Sequence, residues 1–194
     1  MDPFSLTKYF AKMKFFKLFG NEIKIYDESK NNMLFFVKQK AFKLKEDITI
    51  YSDSNKSQEL LKIGARSILD LSATYDVTDP RSGQKYGSLR REGLKSVMVI
   101  DSWQILDANG QEIGKVQEDN WIMALIRRYT MGSFIPQTFQ ITVGNTPVGV
   151  LKQTWNPFVP QFYLDFSMDT GNKLDRRMGI AAVILMQVIE GKQQ

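Results

Sequence analysis

The sequence predicts an all-β fold: a closed antiparallel barrel of about twelve strands around a buried, apolar C-terminal α-helix. Three observations predict it. A β-hairpin pattern recurs at nearly constant spacing, a segment near the C terminus is apolar on every side, and a twelve-stranded barrel has the bore to enclose such a helix. We place a single barrel domain at residues 21–191, its helix at about 175–190, and a separate basic and aromatic segment at residues 1–20.

Four aspartates mark the repeat. Asp27, Asp53, Asp79 and Asp107 are separated by 26, 26 and 28 residues. Each follows a short alternating run and precedes a turn rich in Ser, Asn, Gly, Asp or Pro, after which a second run begins. This pattern is typical of β-hairpins, since these residues tolerate or preset the dihedral angles of turns. We therefore interpret the four aspartates as turn residues, although a pair of carboxylates is also the machinery of a hydrolase that needs no histidine.

The repeat continues towards the C terminus with one interruption. A fifth hairpin is predicted at 138–153, and a sixth copy begins at 161–172 but has no second strand. In the interruption, residues 119–120 can cap a helix and Gly132 can end it. We interpret residues 120–131 as a helix that joins two sets of hairpins, with a loop as the alternative.

The C-terminal segment decides the architecture. Asp175 is a candidate N-cap, and from Met178 onward a helix would be apolar on every side and would have to be buried. A barrel of twelve strands has a radius of about 12 Å and can hold a helix about 10 Å wide, whereas eight strands give only about 8 Å. Fifteen helical residues span about 22 Å and seven-residue strands about 23 Å, so the lengths match. A strand in this segment and a two-sheet sandwich are the alternatives.

Four stretches, with the order of the hairpins and helices, carry a resemblance to a known group: residues 36–53, 65–77, 103–116 and 174–191. They resemble the tubby C-terminal-like superfamily and, within it, the LURP-one-related, scramblase-like proteins. The resemblance spans roughly residues 22–191 and implies a twelve-stranded barrel around a central helix. It also implies membrane association, because the tubby branch binds phosphoinositides or other lipids and the scramblase branch is associated with calcium and lipid redistribution. The chain has no cysteine for lipid attachment and no EF-hand-type run of carboxylates, so neither calcium binding nor scrambling is expected.

Histidine and cysteine are both absent from the 194 residues. Their absence excludes Ser-His and Cys-His nucleophiles, thiolate metal sites and disulfides. The stretch 87–96 superficially suggests a phosphate-binding loop, but its glycines are separated by five residues instead of four. The sequence therefore predicts a protein that is not an enzyme and has neither cofactor nor metal.

Basic residues provide the candidate site. The net charge is +5, and a basic excess suits an anionic partner, although ordinary solubility explains the same composition. Several cations fall at or beyond the ends of second strands in successive repeats, so closure of the barrel would gather them at one rim. The predicted lipid- or anion-binding residues are Lys38, Lys40, Lys43, Lys45, Arg66, Arg90, Arg91, Lys95, Arg127 and Arg128. Such a cluster can hold a phosphate headgroup through charge-assisted hydrogen bonds; a solvated strand face is the alternative.

The N-terminal segment is a second candidate. If residues 5–19 form a helix, Leu6, Tyr9, Phe10, Met13 and Phe16 share a face, with Lys8 and Lys12 roughly opposite. That arrangement is typical of a helix that lies in a membrane interface. The alternative is a segment that packs on the barrel or closes one of its ends.

The function expected from these features is a non-enzymatic binding module for anionic membrane lipid, or for a partner protein at a membrane surface. No secretory apolar region and no run of about 20 apolar residues is present, so we expect a cytoplasmic protein peripheral to the membrane.

A nucleic-acid-binding barrel is the second hypothesis, because Phe35, Phe36, Tyr51 and Tyr86 are interleaved with basic residues. Its modest charge and lack of an RNP-type motif argue against nucleic acid as the partner. A structural barrel is the third hypothesis, and the oligomeric state is not predicted.

Overall fold

The computed structural model describes residues 2–16, 20–39, 47–66, 73–92, 102–119, 136–154, 156, 159 and 161–190. Within these residues the chain forms twelve β-strands followed by one α-helix. The elements are β1 (Lys8–Phe16), β2 (Gly20–Asp27), β3 (Met33–Gln39), β4 (Ile48–Tyr51), β5 (Glu59–Ala65), β6 (Thr74–Thr78), β7 (Lys85–Arg91), β8 (Ser102–Leu106), β9 (Glu112–Glu118), β10 (Thr138–Val143), β11 (Thr146–Thr154), β12 (Gln161–Asp165) and α1 (Arg176–Glu190).

The strands form a closed antiparallel barrel. Each strand pairs with the strand before and after it in the chain, and β1 pairs with β12 to complete the circle. The pairing of Lys8 with Asp165 and of Lys12 with Gln161 fixes the register of the closing strands. Closure leaves no unpaired edge strand in the sheet. The predicted closed barrel of about twelve strands is therefore confirmed.

The five predicted hairpins are present, and each turn is organised by the residue type that the sequence suggested. Oδ1 of Asp79 accepts hydrogen bonds from the backbone N–H groups of Arg81 and Ser82, both at 2.8 Å. Backbone N–H groups of their own turns also bond to Asp27, Asp53 and Asp107. All five hairpins also contain a register shift close to the turn, which increases the local twist of the strands.

The predicted C-terminal helix is confirmed and belongs to the core. Helix α1 begins at Arg176, and the carboxylate of Asp175 accepts a hydrogen bond from the backbone N–H of Arg177 at 2.9 Å, as an N-cap does. From Met178 to Val188 its side chains are buried within the same cluster as the alternate residues of the strands. An apolar helix enclosed in this way removes a large hydrophobic area from water.

Of the two interpretations of residues 5–19, the interfacial helix is wrong, because residues 8–16 form strand β1. The alternative, packing on the barrel, is closer, since β1 is one of the barrel strands. Tyr9, Ala11 and Met13 are buried in the core, and the intervening Lys12 and Lys14 lie on the outer face. Residues two positions apart lie on the same face of a strand, so a strand also places these three residues on the core side. Because β1 is one of the barrel strands, the barrel begins before residue 21, where the sequence analysis placed its boundary.

The predicted connecting helix at 120–131 lies outside the described residues. Within the part of the chain that is described, no helix is both long enough and apolar enough to cross a membrane.

Candidate functional site

Four of the predicted basic residues lie in the described part of the chain, and their positions are given relative to the two ends of the barrel. The five hairpin turns lie at one end, which we call the turn rim. At the opposite end, the distal rim, β3, β5, β7 and β9 end and β4, β6, β8 and β10 begin. Lys38, Arg66, Arg90 and Arg91 are placed at or near the distal rim. The other six residues come after β3, β7 or β9 in the chain and lie outside the described residues: Lys40, Lys43, Lys45, Lys95, Arg127 and Arg128.

Arg66 lies directly after β5 and is held by a network on the outer face. Its Nε is 2.9 and 2.8 Å from Oδ1 and Oδ2 of Asp76 on the neighbouring strand. The hydroxyl of Ser88 donates to Asp76 at 2.7 Å and accepts a hydrogen bond from Nη2 of Arg66 at 3.1 Å. Lys85 adds an ion pair with Asp76 at 3.2 Å. Partial burial works to raise the pKa of Asp76, but the bonds from Arg66, Ser88 and Lys85 outweigh it and lower that pKa to about 2.

An open depression of about 240 Å³ adjoins this network. Lys62 and Asp47, whose side chains form an ion pair of 2.7 Å, line it together with Arg66 and Asp76. Gly64 keeps the depression open, because a Cβ atom at this position would lie 2.8 Å from Oδ1 of Asp47. Three cations, Lys62, Arg66 and Lys85, and two carboxylates, Asp47 and Asp76, surround it. The depression is therefore a polar site with a small positive excess.

Lys38 and Arg90 have other partners. Nζ of Lys38 lies 3.4 Å from Oε1 of Glu22 on β2. Arg90 donates from Nε to Oε1 of Gln104 at 2.7 Å, and Nε2 of Gln104 donates to Oε1 of Glu92 at 3.1 Å. Among the described residues, no hydrogen bond or ion pair connects Lys38 or Arg90 with the Arg66 network. The structure thus distributes these cations over separate positions on the outer face.

Arg91 lies on the opposite face of β7 from Arg90. It is paired in register with Trp103, which is buried in the core, so its side chain belongs to the inner face of the barrel. Burial raises the pKa of the neighbouring Tyr75, and the charge of Arg91 acts against this rise. Arg90 and Arg91 are therefore not two neighbouring contacts for one ligand.

Sequence reasoning missed five residues of the Arg66 network and its depression: Asp47, Lys62, Asp76, Lys85 and Ser88. Alternation along β5 could have shown that Lys62 faces outward, since Leu61 and Ile63 on either side are buried. The pairing of Arg66 with Asp76 depends on the register between β5 and β6, which no local pattern specifies.

The aromatic residues proposed for stacking on nucleic-acid bases do not form one platform. Phe35 is buried inside the barrel, whereas Phe36, its neighbour on β3, is on the outer face. Tyr51 and Tyr86 are only partly buried. A stacking site would have to use fewer rings than the four that the sequence suggested.

The acidic residues of the described ranges do not form a metal site: no group of three or more His, Cys, Asp or Glu residues there could hold an ion. The turn aspartates of successive hairpins each bond to their own turns, as described above.

A closed twelve-stranded barrel that encloses its own C-terminal helix defines the class of this protein as tubby-like. The model of the LURP-one-related family, part of that superfamily, matches residues 33–187, and the chain belongs to this family. No match was found among curated proteins, and none among solved structures.

Proposed function

We propose that this protein is a non-enzymatic binding module that associates with anionic lipid at a membrane surface. The observation that carries the proposal is the topology of the distal rim. All ten predicted cations either lie near strand ends at this rim or follow a strand that ends there. We propose that these cations gather at this end of the barrel, where they would favour contact with a negatively charged surface. The family resemblance points in the same direction.

The described part of the rim suggests how a phosphate group would be held. Arg66 is fixed in position by Asp76, so little side-chain entropy is lost when it donates to a ligand. Lys62 has 43% of its side chain exposed and one carboxylate partner, Asp47. A phosphomonoester, as in a phosphoinositide headgroup, can compete for this ammonium group in the depression, because it carries roughly −1.5 to −2 charges at pH 7 whereas the carboxylate carries one.

The absence of histidine and cysteine from the sequence supports a binding role over catalysis. We place this role on the cytoplasmic side of a membrane, as a peripheral association. A phosphate group held by lysine and arginine requires no covalent step and no cofactor.

Vesicle flotation with the full chain tests the proposal. Vesicles of phosphatidylcholine alone are compared with vesicles that also contain phosphatidylserine or a phosphoinositide. We expect the protein to float with the anionic vesicles only, and to be released when the salt concentration is raised. Equal recovery with neutral and anionic vesicles, or no recovery with either, would show that the proposed function is wrong.

A triple variant tests the outward-facing cations of the rim. Lys38→Gln, Arg66→Gln and Arg90→Gln together lower the net charge from +5 to +2. The matched control, Arg81→Gln with Lys115→Gln and Lys173→Gln, makes the same change elsewhere on the surface. If the rim holds the headgroup, the rim variant loses binding and the control retains it. Arg91 is left unchanged because it belongs to the inner face.

A further inference from the structure

A row of aromatic residues crosses the outside of the barrel on five neighbouring strands. Its members are Tyr163 of β12, Phe10 of β1, Tyr26 of β2, Phe36 of β3 and Tyr51 of β4. Phe10 is paired in register with both Tyr163 and Tyr26, and Phe36 is paired with Tyr51. The row exists only because β1 closes the barrel against β12, more than 140 residues away in the sequence.

Lysines lie over these rings. The ammonium group of Lys30 is 4.3 Å from the ring centroid of Phe10 and 5.0 Å from that of Tyr163. Lys12 lies 5.2 Å from the ring of Tyr26 and 5.5 Å from that of Phe10. Lys24 is 5.9 Å from Phe36, and Lys56 is 5.3 Å from Tyr51. These distances are within the range of cation–π attraction. We call these four lysines and five aromatic residues the lysine–aromatic face.

Carboxylates of the described residues do not pair with the positive charges of this face. None of its four lysines forms an ion pair with a carboxylate in the described part of the chain, whereas Lys8 and Lys38 on the same strands pair with Glu28 and Glu22. Lys12 and Lys24 are also directly opposite each other on β1 and β2. Like charges in this position destabilise a sheet. Cation–π contacts of Lys12 and Lys24 offset part of this repulsion, but both ammonium groups lack a carboxylate partner among the described residues.

Two of these lysines adopt a backbone conformation that suits glycine. Lys30 and Lys56 have φ angles of 64° and 60° in the first two hairpin turns. The turns of the third and fourth hairpins place Gly83 and Gly110 at positive φ instead. A non-glycine residue in the left-handed region costs roughly 1–2 kcal/mol. Lysine is thus present at two positions whose backbone conformation favours glycine, and both ammonium groups point over aromatic rings of this face.

We propose that the lysine–aromatic face is the surface through which the barrel docks on an anionic lipid bilayer. This inference rests on the proposed function and adds a docking surface apart from the Arg66 depression. The cations are all lysines, placed on β1, on β2 and in the turns of the first two hairpins, so they are spread over a convex surface, which suits a field of charged headgroups better than one bidentate ligand. Tyrosines at the edges of the row are partly exposed, as is typical of residues at headgroup depth.

A nucleic acid fits this face less well than a bilayer. Stacking on bases requires an accessible aromatic surface. Phe10 and Phe36, however, are only 1% and 3% exposed although they lie on the outside of the barrel. The lysines that cover them present charge to a partner and hide the rings.

The central experiment is flotation with vesicles of phosphatidylcholine and phosphatidylserine. The face variant, Lys12→Gln with Lys24→Gln and Lys30→Gln, is compared with the Arg81, Lys115 and Lys173 control of the same net charge. Because each lysine near an anionic surface contributes on the order of 1 kcal/mol, we expect the face variant to partition roughly tenfold or more weakly than the control. The rim variant described above has the same net charge and is measured in the same assay as the third protein.

A second variant separates docking from folding. Lys30→Gly combined with Lys56→Gly removes two charges at positions where glycine is conformationally favoured. We expect a melting temperature close to that of the wild type, because relief of the left-handed backbone strain offsets the lost cation–π contacts, together with several-fold weaker partitioning into anionic vesicles. A variant that is as stable as the wild type and binds less cannot be explained by unfolding.

Three results would overturn the inference. If the wild type binds anionic vesicles and the face variant binds as well as the control, the bilayer docks elsewhere and the proposed function stands. If the wild type binds no anionic vesicle, both proposals are wrong. If the face variant loses affinity for a fluorescent single-stranded oligonucleotide and retains vesicle binding, the partner of this face is a nucleic acid.

Discussion

Phe166 shows how single residues fix the position of the helix inside the barrel. Its ring is fully buried between β11 and α1, and a glycine faces it on each side. A Cβ atom at Gly149 would lie 2.8 Å from Cδ1 of Phe166, and one at Gly179 would overlap with Cζ of the same ring. The guanidinium of Arg176 covers the ring at 4.5 Å. A rigid aromatic ring in such a site leaves no room for even one added methyl group.

We predict that Gly179→Ala destabilises the protein. In an exposed helix this change gains up to about 1 kcal/mol, because alanine has the higher helix propensity. At position 179 overpacking against Phe166 is expected to reverse the sign and cost about 1–3 kcal/mol. Urea unfolding measures the difference. Gly171→Ala is the control, since its added Cβ would meet Lys173 Cγ at an ordinary 3.7 Å, and a stabilised Gly179→Ala protein would contradict the packing described here.

At the scale of secondary-structure elements, the segment between β12 and α1 sets where the helix enters the barrel. Both oxygens of the buried Asp169 are used: Oδ1 accepts from the backbone N–H of Lys173 at 2.8 Å, and Oδ2 accepts from Leu174 at 3.2 Å and from Nη1 of Arg176 at 2.6 Å. Burial works to raise the pKa of Asp169, but the bonds from Arg176 and the two backbone groups lower it below its usual value. The first residue of α1 is thereby tied to the preceding segment.

Asp169→Ala is predicted to be strongly destabilising. It leaves the guanidinium of Arg176, a residue only 8% exposed, without its carboxylate and frees two backbone N–H groups. Removing one partner of a buried ion pair costs about 3–5 kcal/mol. The comparison variant is Asp175→Ala, which removes the exposed N-cap and an exposed ion pair with Arg177 and should cost about 1–2 kcal/mol. Equal losses for the two variants in urea unfolding would mean that the Asp169–Arg176 pair does not anchor the helix.

At the scale of the whole molecule, the hairpins and the helix could be predicted because their signals are local. Alternation specifies a strand, Asp79 and its equivalents specify the turns, and the apolar stretch from Met178 specifies a buried helix. Strand β1 could not be assigned in this way. Lys8 and Lys12 are four residues apart, a spacing that also places two residues on one face of a helix. Phe10 is an apolar residue on the outer face, so polar and apolar residues do not alternate regularly along β1. The place of β1 in the barrel depends on its pairing with β12, the last strand in the sequence.

The candidate site was predictable only as a collection of charges. The sequence indicates that cations follow successive second strands, and the topology places those strand ends at one rim. It does not indicate that Asp76 neutralises Arg66, because that contact is set by register. Nor does it bring Phe10, Tyr163 and Lys30 together, since three separate segments meet there. Long-range pairing thus decides which of the described cations are balanced by a carboxylate.

The response of the whole fold to pH follows from its carboxylates. The pKa values of Asp27, Asp53, Asp76, Asp79 and Asp169 are all lowered in the folded protein, to about 2 for Asp76 and Asp79. A lowered folded-state pKa stabilises the fold above the unfolded value of about 4, and the stabilisation is lost as the pH falls towards 2. With no histidine to titrate, we expect the free energy of unfolding to change little between pH 5 and 7.

We therefore predict a steep loss of stability between about pH 4 and pH 2, measured by urea unfolding at each pH. Asp76→Asn removes the carboxylate that Arg66, Lys85 and Ser88 stabilise, so this variant should be less stable than the wild type at pH 6 and lose less on acidification. Glu112→Gln changes an exposed carboxylate on β9 and should preserve the wild-type slope. If Asp76→Asn loses as much stability as the wild type between pH 4 and pH 2, the carboxylate of Asp76 is not stabilised by its neighbours in the folded protein.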